Sequence, residues 1–96
     1  MKTKEEIIEL LEKNVDRIKR KYKLNRIGLF GEYSRGEQTE DSYVDLLVEF
    51  KGTVGLEFVD LSTDLEEILG ESVHVVPKSS ISSKYLKNVR QDIIYF

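Results

Sequence analysis

Ile7, Ile8, Leu11, Val15 and Ile18 recur at the three- and four-residue spacing of a helix with one buried stripe. Thr3-Lys4-Glu5-Glu6 precedes them as a capping box, in which the threonine hydroxyl accepts a free backbone N–H and the second glutamate reaches back to the cap. The pattern predicts a helix over residues 4–22. Arg26 to Phe30 then reads as a short strand stopped by Gly31. Residues 31–42 mix Gly, Ser, Thr, Asp and Glu without a period, as a loop with room for one helical turn. Val44 to Phe50 is the clearest strand, with Leu46, Val48 and Phe50 on one face and Asp45, Leu47 and Glu49 on the other.

Lys51-Gly52-Thr53-Val54-Gly55 breaks that strand. Phe58, Leu61, Leu65, Ile68 and Leu69 return to the helical period and end at Gly70 as a C-cap. Val73 to Val76 reads as a third strand closed by Pro77, Ser79 to Ser83 offer N-caps for a last helix through about Arg90, and Ile93 to Phe96 is an apolar tail. The order helix, strand, strand, helix, strand, helix describes an α+β fold: a short mixed β-sheet with helices packed mainly on one face.

Composition narrows the function classes. The chain has 96 residues, which suits a single domain over 1–96, and its 40% apolar content supports one modest core. It has no cysteine, which excludes disulfides and thiolate metal sites. Its apolar runs fall far short of the ~20 residues of a membrane helix, and no signal-peptide pattern opens it, so the cytoplasm is the expected location. A net charge of −3 argues against bulk nucleic-acid binding. The basic run Lys19-Arg20-Lys21-Tyr22-Lys23, with Arg26 beyond it, has two readings: a dipole-matched helix end, or a patch that contacts phosphate or RNA.

The chemistry concentrates in Gly28-Leu29-Phe30-Gly31-Glu32-Tyr33-Ser34-Arg35-Gly36 and in Asp41-Ser42-Tyr43-Val44-Asp45-Leu46-Leu47-Val48. Gly31 to Gly36 has the gap of a phosphate-binding loop, but Glu37-Gln38 stands where Lys-Ser/Thr is needed. A dinucleotide fingerprint needs three correctly spaced glycines, and they are absent.

These two segments resemble the minimal nucleotidyltransferases of the polymerase-beta-like nucleotidyltransferase superfamily. In that family a strand leads to Gly-Ser, a short helix carries Ala-Arg-Gly, and a polar loop leads to Ser-Asp-x-Asp-Leu on the next strand. Val73-His74-Val75-Val76-Pro77-Lys78-Ser79 extends the likeness to a third strand, so it covers nearly the whole chain. The resemblance implies the nucleotidyltransferase fold, with ATP or another NTP as substrate and Mg²⁺ as cofactor. Gly31, Glu32, Arg35 and Gly36 are the implied nucleotide- and phosphate-binding positions, and Asp45 and His74 the implied metal positions, with Asp45 the catalytic one. It also implies a partner, a helical HEPN-family toxin for which such proteins act as antitoxins, in active members by transferring AMP to it.

Three positions depart from the family pattern. Glu32 stands at its serine, Tyr43 at its first metal carboxylate and His74 at its third, leaving Asp45 as the one matching carboxylate. A carboxylate at Glu32 facing a triphosphate at ~5 Å costs about 3 kcal/mol at an effective dielectric near ~20. Imidazole is a poor magnesium ligand, although it suits zinc, manganese or nickel, and a phenol stays protonated at neutral pH. Asp41 shares the strand parity of Asp45 but lies in the loop, and Glu49 is roughly 13 Å away along an extended strand.

Each of these residues also has a plainer reading. Asp45 as an acceptor of loop N–H groups, His74 as a half-buried sheet histidine and Tyr43 as a packing residue all stand open. So do Arg35 as a surface salt bridge and Glu32 as a partner of Arg35 or His74. The leading expectation is an impaired nucleotidyltransferase-fold protein that works through its HEPN partner. The alternative is an active NMP transferase using Asp45 with altered ligands, and a third is a module that binds nucleotide without reacting. The tail or a strand edge is where a homo-oligomer would form.

Overall fold

A computed structural model describes residues 1–52 and 57–96. The capping box forms as expected. Thr3 Oγ1 accepts the Glu6 N–H at 3.1 Å and Glu6 Oε1 accepts the Thr3 N–H at 3.0 Å, starting helix α1 (Lys4–Tyr22). Ile7, Leu11 and Ile18 are buried along its inner stripe, and Tyr22 extends that stripe by one turn. Lys23 ends the helix in the left-handed region at φ 55° and returns its N–H to the Lys19 carbonyl. This sharp reversal lets strand β1 (Leu24–Phe30) begin two residues before the apolar pattern suggests, with Leu24 opposite Phe50.

Gly31–Arg35 is a five-residue helix, α2, so the helical turn allowed for in the loop is present. Strand β2 (Val44–Phe50) follows, then α3 (Glu57–Leu69) and β3 (Val73–Pro77). The chain continues through a 3-10 turn (Lys78–Ser80) into α4 (Ser83–Val89), whose N-cap Ser82 accepts the Tyr85 N–H. It ends in a two-residue strand, β4 (Ile94–Tyr95). The expected break at Lys51-Gly52-Thr53-Val54-Gly55 is described only at Lys51 and Gly52, its other residues lying outside the described set.

The four strands form one mixed sheet in the order β3-β2-β1-β4, with β1 antiparallel to both neighbours and β2 parallel to β3. Leu29, Leu46 and Val48 meet Leu11 and Leu65 in the core beneath α1 and α3. Those helices are also pinned by Asp64, which accepts from Arg17, Lys21 and the Tyr22 hydroxyl, the last at 3.0 Å. The opposite face is covered in part, with Phe30 at the end of β1 buried there. There Leu47 is buried opposite Gly28, whose missing side chain leaves space for Ile93; a Cβ on Gly28 would lie 2.6 Å from Ile93 Cδ1.

The apolar tail is the main correction to the expected element order. It joins the sheet instead of remaining free, with Phe96 N–H donating to the Ile27 carbonyl at 2.7 Å and Gly28 opposite Tyr95. Two paired residues are too few to show alternation, so the run reads in sequence as a tail.

Candidate functional site

The site lies where β1 ends and β2 begins, on the face of the sheet away from α1 and α3. Phe30 is opposite Asp45 across the antiparallel pair, which carries the next residue, Gly31, directly under the Asp45 side chain. Gly31 turns the chain into α2 at φ +76°, and any Cβ there would collide with Asp45 Oδ2. Glycine is required twice over, by conformation and by space. Tyr33 anchors α2 in the core, and Gly36 ends it in the left-handed region at φ +71°.

On the other side, the parallel β2–β3 register places Asp45 opposite His74. Nδ1 of the imidazole is 3.4 Å from Asp45 Oδ1. The sequence thus brings Gly31, Asp45 and His74 together through two strand pairings. His74 corrects one expectation. Its side chain is 67% exposed, not half-buried, because it stands on an edge strand, on the face opposite the Leu46 and Val75 core. The Asp45 side chain is only 24% exposed. Burial raises its carboxyl above the ordinary aspartate value of 3.8, His74 pulls it down by charge and hydrogen bonding, Glu32 pushes it up and Arg35 pulls it down.

The remaining candidates point elsewhere. Glu32 pairs with neither Arg35 nor His74. Its Oε1 accepts the Ser42 hydroxyl at 3.0 Å, tying α2 to the turn before β2. Arg35 forms ion pairs with Glu37 at 2.6 Å and Asp92 at 3.4 Å, which is its surface salt-bridge reading. Tyr43 is 56% exposed beside the entrance to β2. Among the described residues no loop N–H donates to Asp45. Asp41 is exposed and Glu49 is paired with Arg26 and Lys78, so neither supplies a second carboxylate.

Two contributors escaped the sequence reading. Ser34 is buried and its hydroxyl donates to the Asp92 carbonyl, while Asp92 also takes Arg35; together they bind α2 to the lead-in of β4. The available signal is Ser34 itself, a polar residue where the resembling pattern has alanine.

Magnesium takes hard, anionic oxygens in near-octahedral arrangement. The aligned donors here are one carboxylate, an imidazole and a neutral phenol. Among the described residues no three His, Cys, Asp or Glu side chains gather in a metal-holding group. This donor set does not fit a two-magnesium centre.

A glycine-bent strand–helix turn beside a carboxylate on a mixed sheet is the architecture of a nucleotide-transfer fold. A match to the nucleotidyltransferase domain family spans residues 11–95. A Methanocaldococcus jannaschii protein, named as a candidate protein adenylyltransferase, is 44% identical over 99 residues, covering 99% of each chain. Protein adenylyltransferase MntA of Thermococcus cleftensis is 40% identical over 96 residues, covering 99% of this chain and 97% of its own. A solved structure described as a candidate minimal nucleotidyltransferase superposes with a TM-score of 0.73 at 30% identity, covering 90% of this chain and 92% of that one. A chain of a toxin–antitoxin complex with AMP-PNP superposes with a TM-score of 0.67 at 29% identity, covering 96% of this chain and 70% of its own. The complex of a tri-AMPylated Shewanella oneidensis HEPN toxin with its MNT antitoxin, at 24% identity and a TM-score of 0.66 over 91% of this chain and 69% of that one, shares the fold. The chain belongs to the nucleotidyltransferase domain family, in its minimal nucleotidyltransferase branch.

Proposed function

We propose that this chain acts as a cytoplasmic, single-domain antitoxin that binds and masks a helical HEPN-family toxin, with its own nucleotidyl transfer lost or strongly weakened. The observation that carries this reading is the state of Asp45. It is the one carboxylate left of the family's three metal positions, with one oxygen against Gly31 and the other facing His74. Glu32 adds a negative charge at the position of the family's serine, and that charge acts on Asp45. Likeness to a chain of a toxin–antitoxin complex, and the fold shared with a complex of a HEPN toxin and its MNT antitoxin, support the partner.

The names of the relatives favour a second reading, in which Asp45 still supports AMP transfer from ATP to the partner. Incubation with α-labelled ATP, Mg²⁺ or Mn²⁺ and a HEPN-family toxin separates the two. The proposal expects a stable complex, inhibition of the toxin without label transfer, and the same inhibition by Asp45→Ala. Label transfer that Asp45→Ala abolishes overturns it.

A further inference from the structure

The basic residues near the C-terminal end of α1 divide into two sets. Lys21 and Arg17 are held by Asp64, and Arg26 by Glu49. Lys19, Arg20, Lys23 and Lys51 form no ion pair among the described residues. The four residues outside that set, Thr53 to Leu56, contain no acid.

The unpaired cations come together by folding. The Lys51 N–H donates to the Lys23 carbonyl at 2.9 Å, joining the end of β2 to the end of α1. Beside this link is a hollow of about 470 Å³ lined by Asp16, Lys19, Arg20, Leu24, Asn25 and Lys51. The helix dipole accounts for Lys19 and Arg20 in the last turn. It does not account for Lys51, which comes from another element. The result is a locally positive spot, with Asp16 the one acid in its lining, on a chain of net charge −3. It lies at the start of β1, whereas Asp45 lies beside its end, some ~20 Å away along the strand.

We infer that this hollow is a second ligand site, separate from the glycine-loop pocket, that takes a phosphate-bearing anion: a short polyphosphate or a phosphodiester segment. Arg20 offers a planar fork suited to two phosphate oxygens, the lysines act as mobile point charges, and the Asn25 amide adds donors. Among the described residues no aromatic ring lines the hollow. Binding there reads phosphate and not base, and weakens with salt as counterions compete.

The test is to titrate the ¹⁵N-labelled full chain at low salt with tripolyphosphate and, separately, with a short single-stranded oligouridylate. Amide shifts are expected at Lys19–Asn25 and Lys51, with little change at Gly31–Gly36. The triple variant Lys19→Gln, Arg20→Gln, Lys51→Gln should bind about tenfold more weakly, the size expected when several phosphate contacts are lost. Response to tripolyphosphate alone identifies a free polyphosphate, and response to both identifies a phosphodiester as well. Absence of shifts at the hollow with either ligand overturns the inference, as does a response concentrated at Gly31–Gly36 or a triple variant that binds like the parent. Because the shifts are mapped on the unaltered chain, the first two of these outcomes do not depend on how the variant folds.

Discussion

The Asp45 carboxylate lies between two residues that the sequence separates widely, Gly31 and His74. One oxygen packs against Gly31, at the start of α2, and the other faces Nδ1 of His74 at 3.4 Å across the parallel β2–β3 pair. A carboxylate held this way has given up part of its hydration, and its partner is an imidazole that meets water freely on the other side. On the proposed function, this arrangement keeps the frame of a nucleotidyl-transfer site while changing its ligands.

Gly31→Ala meets two penalties, a left-handed φ and a collision with Asp45, and is expected to cost about 2–4 kcal/mol in urea unfolding. Gly36→Ala has the same kind of φ but open space around its Cβ, so about 1 kcal/mol is expected. Equal losses at the two sites would show that Asp45 does not press on Gly31.

Replacing the three departing residues together, as Glu32→Ser, Tyr43→Asp and His74→Asp, should restore a set of hard oxygen donors around Asp45. Calorimetric titration is expected to show Mg²⁺ and ATP affinity rising at least ~10-fold over the parent chain. If neither ligand binds more tightly, these positions are not the metal and phosphate positions of the fold.

Asp45 and Asp64 should affect acid stability with opposite signs. Burial raises the Asp45 carboxyl in the folded state, so the folded chain holds its proton more tightly than the unfolded one. Stability therefore falls as pH rises from the ordinary value of 3.8 through the raised folded value, and Asp45→Asn removes that slope. Hydrogen bonding from Arg17 lowers the Asp64 carboxyl most; burial opposes it, and Tyr22 and Lys21 lower it further. Its contribution is complete above 3.8 and is lost as pH falls through the lowered folded value, and Asp64→Asn removes it. Urea midpoints of the two variants between pH 2 and 7 are expected to diverge from the parent in opposite senses.

Lys23 holds a left-handed conformation without being glycine. Lys23→Gly is expected to raise stability by about 0.5–1 kcal/mol, seen as a higher melting temperature, by removing the Cβ conflict at the helix end. The same substitution deletes one of the cations beside the basic hollow, so tripolyphosphate binding should weaken while the fold grows firmer.

The parts of the fold whose signals are local are legible along the chain. α1, β2 and α3 follow from apolar period and caps, since those depend on residues a few positions apart. The glycine loop and Asp45 were legible for the same reason: the spacing between them is covalent. What each of these residues meets is set by contacts between distant segments. The parallel register gave Asp45 its histidine and left that histidine exposed, while the strand-to-helix turn gave Glu32 a serine in place of an arginine. A two-residue pairing drew the tail onto β1, over a glycine whose purpose is visible only once Ile93 lies on it. The Lys23–Lys51 link was equally hidden, because it joins segments 28 positions apart (51 − 23) that approach only when β1 and β2 pair. Such contacts depend on chain closure between distant segments, which no local periodicity encodes.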